Sequence, residues 1–185
     1  MAVSVSEING TVHAYLRDYP DEAGRLEKLL QALREPDRDL ADRSTFDPGH
    51  MTASALLVNP RGEVLYLLDD RRKRWLLPGG HAEGSDRSLV DAARRELHEE
   101  TGILPGTVSL MPGFAAGRAL DIGVRKSAGS ARRGEDPHLH FDVRFPLVTT
   151  SDVEALLPKQ AACYRWMPPP AAPPPRVGAK LAALL

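Results

Sequence analysis

One segment constrains the structure of this 185-residue chain more than any other, residues 79–103, which read GGHAEGSDRSLVDAARRELHEETGI. Ser88 and Asp91 match a capping box that starts a helix, and Gly102 suits the left-handed residue that ends one. The apolar residues between these ends form one packing stripe, made of Leu89, Ala92, Ala93 and Leu97. The segment therefore predicts a tight glycine loop that leads into an amphipathic helix with one buried face.

Three glutamates share another face of this helix, because they stand at positions i, i+3 and i+4: Glu96, Glu99 and Glu100. Glu96 and Glu100 are stacked like charges, which weakens an isolated helix by roughly a few tenths of a kcal/mol. An external cation would relieve this repulsion, and carboxylate oxygens suit Mg²⁺, Mn²⁺ or Ca²⁺ better than Zn²⁺. The spacing alone leaves a second interpretation open, an acidic helix face that is simply solvated.

Composition narrows the class of protein. The chain has 24 Lys and Arg against 25 Asp and Glu, so it has no overall positive field that would hold a nucleic-acid polymer. Cys163 is the single cysteine, which excludes an internal disulfide and fits a reducing compartment. No apolar run approaches the roughly 20 residues that span a bilayer, and the N-terminus lacks the pattern of a signal peptide. We therefore expect a soluble, cytoplasmic protein that does not bind membranes.

Apolar periodicity predicts an α/β fold in three parts. Residues 6–34 carry two helical stripes separated by Pro20, and a charged linker is expected up to residue 47. Strand patterns follow at 51–58, 63–68, 108–111, 120–124, 138–148 and 162–166, with a short helix at 152–157. The proline-rich stretch 168–175 is expected to be extended. The predicted domain limits are 1–46 for the N-terminal helical extension and linker, 47–167 for the α/β domain, and 168–185 for the tail.

A second group of polar residues lies on the strand predicted at 138–148. His138, His140 and Asp142 point to one face of that strand, because side chains alternate with a period of two. The three residues suit a metal triad or a grip on a substrate, and a half-exposed polar strand face explains them equally well.

Residues 80–103 resemble the Nudix box of the Nudix hydrolases. Gly80 matches the opening glycine, and the later matches are Arg95-Glu96-Leu97, Glu99-Glu100 and Gly102-Ile103. The chain has one more residue between Gly80 and Arg95 than the common form, and the usual first glutamate of the box is replaced by Asp86, or by Arg87 if positions are counted back from Arg95. Residues 79–83 are similar to a longer loop variant of the family that reads GGH-x-E.

The resemblance covers about residues 52–166 and implies an α/β/α sandwich with a mixed β-sheet, preceded here by the N-terminal helical extension. It also implies Mg²⁺- or Mn²⁺-dependent hydrolysis of a pyrophosphate bond in a nucleoside diphosphate linked to another group. Nucleotide sugars, ADP-ribose and nucleoside triphosphates are the substrate classes that remain open. The alternatives are a non-catalytic module that senses a nucleotide and an enzyme like isopentenyl diphosphate isomerase. The isomerase is disfavoured because its catalytic cysteine would lie near the glycine loop, whereas Cys163 lies far downstream.

The same resemblance implies roles for individual residues. The implied metal ligands are the backbone of Gly80 and the side chains of Glu96, Glu99 and Glu100. Glu99 and Glu100 are also the catalytic candidates, together with Arg95, which would orient a carboxylate of the box. The substrate-binding candidates are Glu83, Glu135, His138, His140 and Asp142, with two additions. His81 is explained equally well by packing, and Arg74 is included for the charge of its run and not for the resemblance.

Three of these expectations carry alternatives. Glu83 and Glu135 are also candidates for the general base. Arg74 belongs to a cationic run at 69–75 that would either steer an anionic substrate or form a solvated hairpin tip.

The expected partner is a phosphorylated small molecule. The stripes of the N-terminal helices must be buried either on the domain's own sheet or on a second copy of the chain in a homodimer, and a role in dimerisation or in roofing the cleft is expected.

Overall fold

The computed structural model describes residues 2–35, 38–69, 73–114, 117–149, 163–171 and 173–185. The α-helices are α1 (Val5–Asp18), α2 (Glu27–Ala32), α3 (Leu89–Thr101) and α4 (Pro175–Ala182). The strands are β1 (Gly49–Val58), β2 (Val64–Asp69), β3 (Arg74–Leu76), β4 (Gly79–His81), β5 (Val108–Leu110), β6 (Asp121–Ser127), β7 (His138–Thr149) and β8 (Tyr164–Met167). Short 3₁₀ helices occur at Pro20–Leu26, Pro105–Thr107, Ala131–Arg133 and Pro169–Ala171.

The strands form one mixed sheet in the order β3-β2-β1-β7-β5, with β4 paired to β1, β6 to β7 and β8 to β2. The central strands β1 and β7 run parallel, in register from Gly49 opposite Leu139 to Val58 opposite Val148. The other pairs are antiparallel. All ten residues of β1 are buried, as expected of a strand that is covered on both faces.

Helices α1, α2 and α3 cover one face of the sheet. The odd-numbered residues of β1 and β7 contribute to the core on this side, where the helices add Ile8, Val12, Leu29, Leu89, Ala93 and Leu97. This arrangement confirms the packing stripe expected for α3. It also shows that the N-terminal helices bury their stripes on the chain's own sheet, which was one of the two alternatives.

Helix α4 covers part of the opposite face. Val177 and Leu181 are buried against Leu56 and Val58 of β1 and Tyr66 of β2. The expectation of an extended segment at 168–175 is therefore wrong in part, because a 3₁₀ turn occupies Pro169–Ala171 and a helix begins at Pro175. Proline is well tolerated in the first helical turn, since its fixed φ suits a helix and its missing N–H would have had no helical partner there.

The α/β class, the mixed sheet and the helices on both faces are confirmed. The glycine loop, however, forms strand β4, in which Gly79, Gly80 and His81 pair with Ser54, Ala53 and Thr52 of β1. The helix expected at 152–157 lies outside the described residues. Among the described residues, no helix has the length and apolar character needed to cross a membrane.

A buried aspartate joins both ends of the chain to the sheet. Asp121 of β6 is fully buried and accepts hydrogen bonds from Arg144 at 2.7 Å, Arg176 at 2.7 Å and Lys180 at 3.1 Å. Lys180 also pairs with Glu22 of the N-terminal segment at 2.6 Å. Burial acts to raise the pKa of Asp121, but the hydrogen bond from Arg176 and the surrounding cations outweigh it, so the pKa is lowered.

Candidate active site

The register of β1 and β7 gathers polar side chains on the face that α4 only partly covers. Alternation along β1 places three polar residues on this face before the strand becomes apolar at Leu56 and Val58. Their partners on β7 are also polar, so that the pairs are His50 with His140, Thr52 with Asp142 and Ser54 with Arg144. The sheet face therefore has an apolar half beneath α4 and a polar half that is open to a ligand.

A cleft of about 1390 Å³ opens over this polar half. It is lined by eight of the residues expected at the site, namely Arg74, Gly80, His81, Glu100, Glu135, His138, His140 and Asp142. Glu83 and Glu96 instead border a smaller cavity of about 450 Å³, which shares His81 with the main cleft. Arg95 and Glu99 line neither space.

The cleft carries several cationic side chains, contributed by Arg43, Arg74, Arg125, Lys126, Arg133 and Arg144. Some of them are paired with acids: Arg144 contacts Asp142 at 2.9 Å and Arg133 contacts Glu135 at 2.9 Å. Cations focused in a cleft attract an anionic ligand. Arg43 lies in the segment expected to be only a linker, so this segment also forms part of the site wall.

Helix α3 brings Glu100 to the glycine segment. The helix begins where Ser88 accepts a hydrogen bond from the Asp91 N–H and ends at Gly102 with φ 77°. In its last turn, the Glu100 carboxylate accepts a 3.0 Å hydrogen bond from the Gly79 N–H. Although Glu100 as a residue is exposed, its carboxylate lies among protein atoms, and this desolvation raises its pKa to about 7, with a smaller contribution from the charge of Glu96.

Gly80 allows Glu96 to approach the backbone. A Cβ atom at Gly80 would overlap the Glu96 carboxylate, so the residue has to be a glycine for this packing to exist. Desolvation raises the pKa of Glu96, while the hydrogen bond from Arg95 opposes the change. Both Glu96 and Glu100 are thus acids whose negative charge the protein compensates only in part.

Arg95 connects the loop before α3 to the acidic face of the helix. Its guanidinium donates to Asp86 at 3.0 Å, to the carbonyl oxygen of His81 at 2.7 Å, and to Glu96 and Glu99 at 3.1 Å each. Asp86 is buried and also accepts from the Glu83 N–H at 2.8 Å. The arginine therefore contacts Asp86, one of the two residues expected in place of the usual first glutamate of the box.

The types of donor on α3 suit a hard divalent cation, although the carboxylate oxygens of Glu96, Glu99 and Glu100 do not all lie within 4.8 Å of one another. Carboxylates and a backbone carbonyl are the ligands that Mg²⁺ and Mn²⁺ prefer, and Glu96, Glu99, Glu100 and Gly80 supply them. Desolvation raises the pKa of Glu96, in spite of its bond from Arg95, and that of Glu100, so the protein stabilises the two charged carboxylates only in part. Arg95 holds two of the carboxylates and the Gly79 N–H holds the third, so a metal ion must compete with both donors.

Four histidines cluster at the centre of the cleft: His50, His81, His138 and His140. The Nε2 atoms of His138 and His140 lie 2.9 Å apart. Burial lowers the pKa of His81 to about 4 and that of His140 to about 3. His138, His140 and Asp142 share one strand face, as the period-two pattern predicts. His50 was not expected here, because the strand was predicted to begin at Met51 and begins instead at Gly49.

The two candidates for the general base occupy different surroundings. The Glu83 side chain is 61% exposed, and its nearest ion-pair partner is Arg95 at 3.9 Å. The Glu135 side chain is 15% exposed and lies between Arg133 and Arg43, at 2.9 Å and 3.7 Å. Only Glu135 lines the main cleft.

Several known proteins are similar to this chain. Proteins named RNA pyrophosphohydrolase from Xanthomonas campestris pv. campestris (strain B100) and Xanthomonas oryzae pv. oryzae (strain MAFF 311018) are each 36% identical to it over 75 residues. The match covers 39% of this chain and 36% of the length of these relatives. Among solved structures, the C. elegans Ap4A hydrolase is 17% identical, with a TM-score of 0.48 over 72% of this chain and 96% of its own.

A NUDIX family hydrolase from Clostridium perfringens is 20% identical, with a TM-score of 0.48 over 78% of this chain and 99% of its own. The model of the NUDIX domain matches residues 48–184. This match spans more than half of the sequence and includes the glycine segment, α3 and α4. The chain therefore belongs to the NUDIX domain family.

Proposed function

We propose that the protein hydrolyses a pyrophosphate bond with the help of a divalent metal ion. The observation that carries this proposal is the contact between Glu100 and the Gly79 N–H at the wall of a cationic cleft, with Glu96 packed against Gly80. Glu100, one of the acids that would hold a cation, thus lines the same cleft as the cations that would hold phosphates.

The chemistry of the substrate explains why both charges are needed. A pyrophosphate is polyanionic, so attack by water requires that its charge be neutralised and its phosphates oriented. A divalent ion supplies neutralisation and lowers the pKa of bound water. In this chain Glu96, Glu99, Glu100 and the carbonyl of Gly80 would hold the ion, and the ion is Mg²⁺ or Mn²⁺. Arg95 keeps the carboxylates in place through its bonds to Asp86, Glu96 and Glu99.

The side chains of the cleft support a nucleoside diphosphate linked to another group as the substrate. Arg74 and Lys126 offer positive charge to phosphates, and the ring of Tyr164 offers a flat apolar surface to a base. The ring of Trp75 also lines the cleft, with the guanidinium of Arg165 over it at 4.7 Å. Nucleotide sugars, ADP-ribose and nucleoside triphosphates share this chemistry. The candidates for the general base are Glu99 on α3, Glu83 in the loop before it, and Glu135, which lines the cleft.

A substrate panel tests the proposal. The full chain is incubated with nucleoside triphosphates, nucleotide sugars, ADP-ribose, RNA and isopentenyl diphosphate, each with Mg²⁺, with Mn²⁺ and with EDTA, and the products are identified by chromatography and mass spectrometry. The proposal predicts metal-dependent release of a nucleoside monophosphate together with a phosphorylated remainder. Binding of a nucleotide without any metal-dependent product would instead indicate a sensing module. Rearrangement of isopentenyl diphosphate without hydrolysis would indicate an isomerase.

A further inference from the structure

We propose a second metal site, in which His50, His81 and His140 bind a transition-metal ion of the Zn²⁺ type through imidazole nitrogens. This site is chemically different from the carboxylate face of α3, and it does not depend on the proposed hydrolysis. The donor atoms of the three histidines all lie within 4.8 Å of one another. Within the described part of the chain, His50, His81 and His140 are the one group of at least three His, Cys, Asp or Glu side chains whose donor atoms lie this close together.

Three neighbouring strands hold these histidines. His50 on β1 lies opposite His140 on β7, and His81 on β4 lies opposite Thr52 on β1. The centroid of the His50 ring lies 4.9 Å from the centroid of the His81 ring and 4.9 Å from that of the His140 ring. The centroids of the His81 and His140 rings lie 5.1 Å apart. Sites built on paired strands are rigid, so the convergence of the three rings is a property of the fold rather than of a mobile loop.

The buried surroundings of His50 indicate that its ring binds a ligand. This residue is 1% exposed, and its Nδ1 lies 2.9 Å from the carbonyl oxygen of Thr45. Because a carbonyl can only accept, Nδ1 carries the proton, and Nε2 presents a lone pair. Nε2 is buried and has no hydrogen-bond partner among the described residues. A buried acceptor without a partner is costly, and a metal-bound histidine commonly donates its other N–H to a backbone carbonyl.

The lone pair on Nε2 of His50 favours a cation over an anion at this place. His138 donates from Nδ1 to the carbonyl of Asp136 at 2.6 Å, so its Nε2 accepts from the Nε2 of His140 at 2.9 Å. The Nδ1 of His140 in turn accepts from Arg125 at 2.9 Å. A phosphate group would need N–H donors, whereas the lone pair of His50 would repel it. His138 acts here as a positioning residue, which holds the ring of His140. Binding of an ion to Nε2 of His140 would displace the proton of that nitrogen to Nδ1, and the hydrogen bond from Arg125 would then be lost.

The ligand type indicates the class of metal. Imidazole nitrogen suits Zn²⁺, Cu²⁺, Ni²⁺ and Fe²⁺, while Mg²⁺ and Mn²⁺ favour oxygen. Three histidines leave a coordination position for a further ligand, as catalytic zinc sites do. His50, His81 and His140 all line the main cleft. A bound ion would thus face the space in which an anionic ligand of the cleft would lie.

Metal titration of the full chain tests this site. The protein is stripped with a chelator and titrated with Zn²⁺ against a competing indicator, and with Co²⁺ while the visible absorption of the bound ion is recorded. We expect one tight equivalent, weakened at least about tenfold in His81→Gln and in His140→Gln, since even loss of an outer-shell partner weakens metal affinity about 10- to 100-fold. The matched control is His13→Gln, because His13 is an exposed histidine of α1.

Two further variants separate this site from the carboxylates and from folding defects. Glu100→Gln should bind Zn²⁺ as the wild type does, and loss of the Zn²⁺ equivalent in that variant would place the ion on α3 and overturn the proposal. Zn²⁺ binding that is unchanged in both His81→Gln and His140→Gln would overturn it as well. Thermal melting accompanies each variant. If the buried His50→Gln does not fold, the two less buried histidines still decide the question.

Discussion

The N–H of Gly79 donates a 3.0 Å hydrogen bond to the carboxylate of Glu100, and this contact joins strand β4 to the last turn of α3. It places an acid from the helix beside the glycine segment that Glu96 also approaches. Because Gly79 and Gly80 are paired to the central strand β1, the position of both acids is set by the sheet. The geometry of the site therefore depends on this junction between β4 and α3.

Replacement of Gly80 by alanine should disable the site without unfolding the protein. The added Cβ would overlap the carboxylate of Glu96, which is the flexible end of a side chain and can move away. We expect activity to fall about 100-fold, the size of effect that a displacement of about 1 Å produces, with little change in melting temperature. Gly84→Ala is the matched control, because a Cβ there meets nothing within 4 Å. Equal activity in both variants would contradict the role given to Gly80.

Metal affinity should weaken as the pH falls below about 7. Desolvation raises the pKa of Glu100 to about 7, and only the ionised carboxylate binds a cation. Below that pKa protons compete with the metal, so the affinity for Mn²⁺ should fall by up to about tenfold for each pH unit. Calorimetry at a series of pH values measures this dependence. An affinity for Mn²⁺ that is constant through pH 7 would show that Glu100 does not bind the ion.

Replacement of Asp121 by asparagine should destabilise the fold strongly. The change leaves Arg144 and Arg176 next to a buried neutral group, and removal of one partner from a buried ion pair costs about 3–5 kcal/mol. Asp18→Asn is the control, because its pair with Arg118 is partly exposed and such pairs contribute about 0–1 kcal/mol. Urea unfolding measures both. A loss below about 1 kcal/mol for Asp121→Asn would contradict the structural role of the network.

The same residue predicts an acid dependence of stability. The pKa of Asp121 is lowered from its ordinary value of 3.8, so its contribution to the free energy of unfolding is complete above that value. This contribution to stability is lost as the pH falls below 3.8 and then through the lower pKa that Asp121 has in the folded protein. The difference in stability between the wild type and Asp121→Asn should therefore shrink only in that acidic range. A difference that already shrinks near neutral pH would contradict this assignment.

Replacement of Arg95 by lysine should lower the turnover number strongly and change the melting temperature only slightly. Lysine keeps the charge but not the planar fork that reaches Asp86, the His81 carbonyl and two glutamates together. Loss of such an outer-shell contact lowers metal affinity or activity about 10- to 100-fold. Arg17→Lys, at an exposed position of α1, is the control. If the only effect of Arg95→Lys were a lower melting temperature, the arginine would be structural and not a positioning residue.

The sequence predicts the parts of this structure that rest on local signals. The capping box at Ser88, the end of α3 at Gly102 and the single stripe between them are read from residues that are neighbours in the chain, and the structure confirms them. The strand face of His138, His140 and Asp142 follows from alternation alone. These patterns carry their information within one helix or one strand.

The remainder depends on contacts between distant residues. The pairing of His50 with His140 joins positions 90 apart through the register of two parallel strands, which no local pattern reveals. In the sequence, Asp121 is an ordinary polar residue at the start of a strand. Only the structure shows that Arg144 and Arg176 donate hydrogen bonds to it. Helix α4 was missed because it is short and begins with a proline, and its only signal was the spacing of Val177 and Leu181.

Turnover by Glu100→Gln, measured with Mg²⁺ and Mn²⁺ on the best substrate of the panel, tests the central claim most directly. Glutamine keeps the shape of the side chain and can still accept the hydrogen bond from Gly79, but it removes the charge that would hold the ion. The account predicts a melting temperature close to that of the wild type and a turnover number lowered by at least about 100-fold. Near-normal turnover by the folded variant would contradict it.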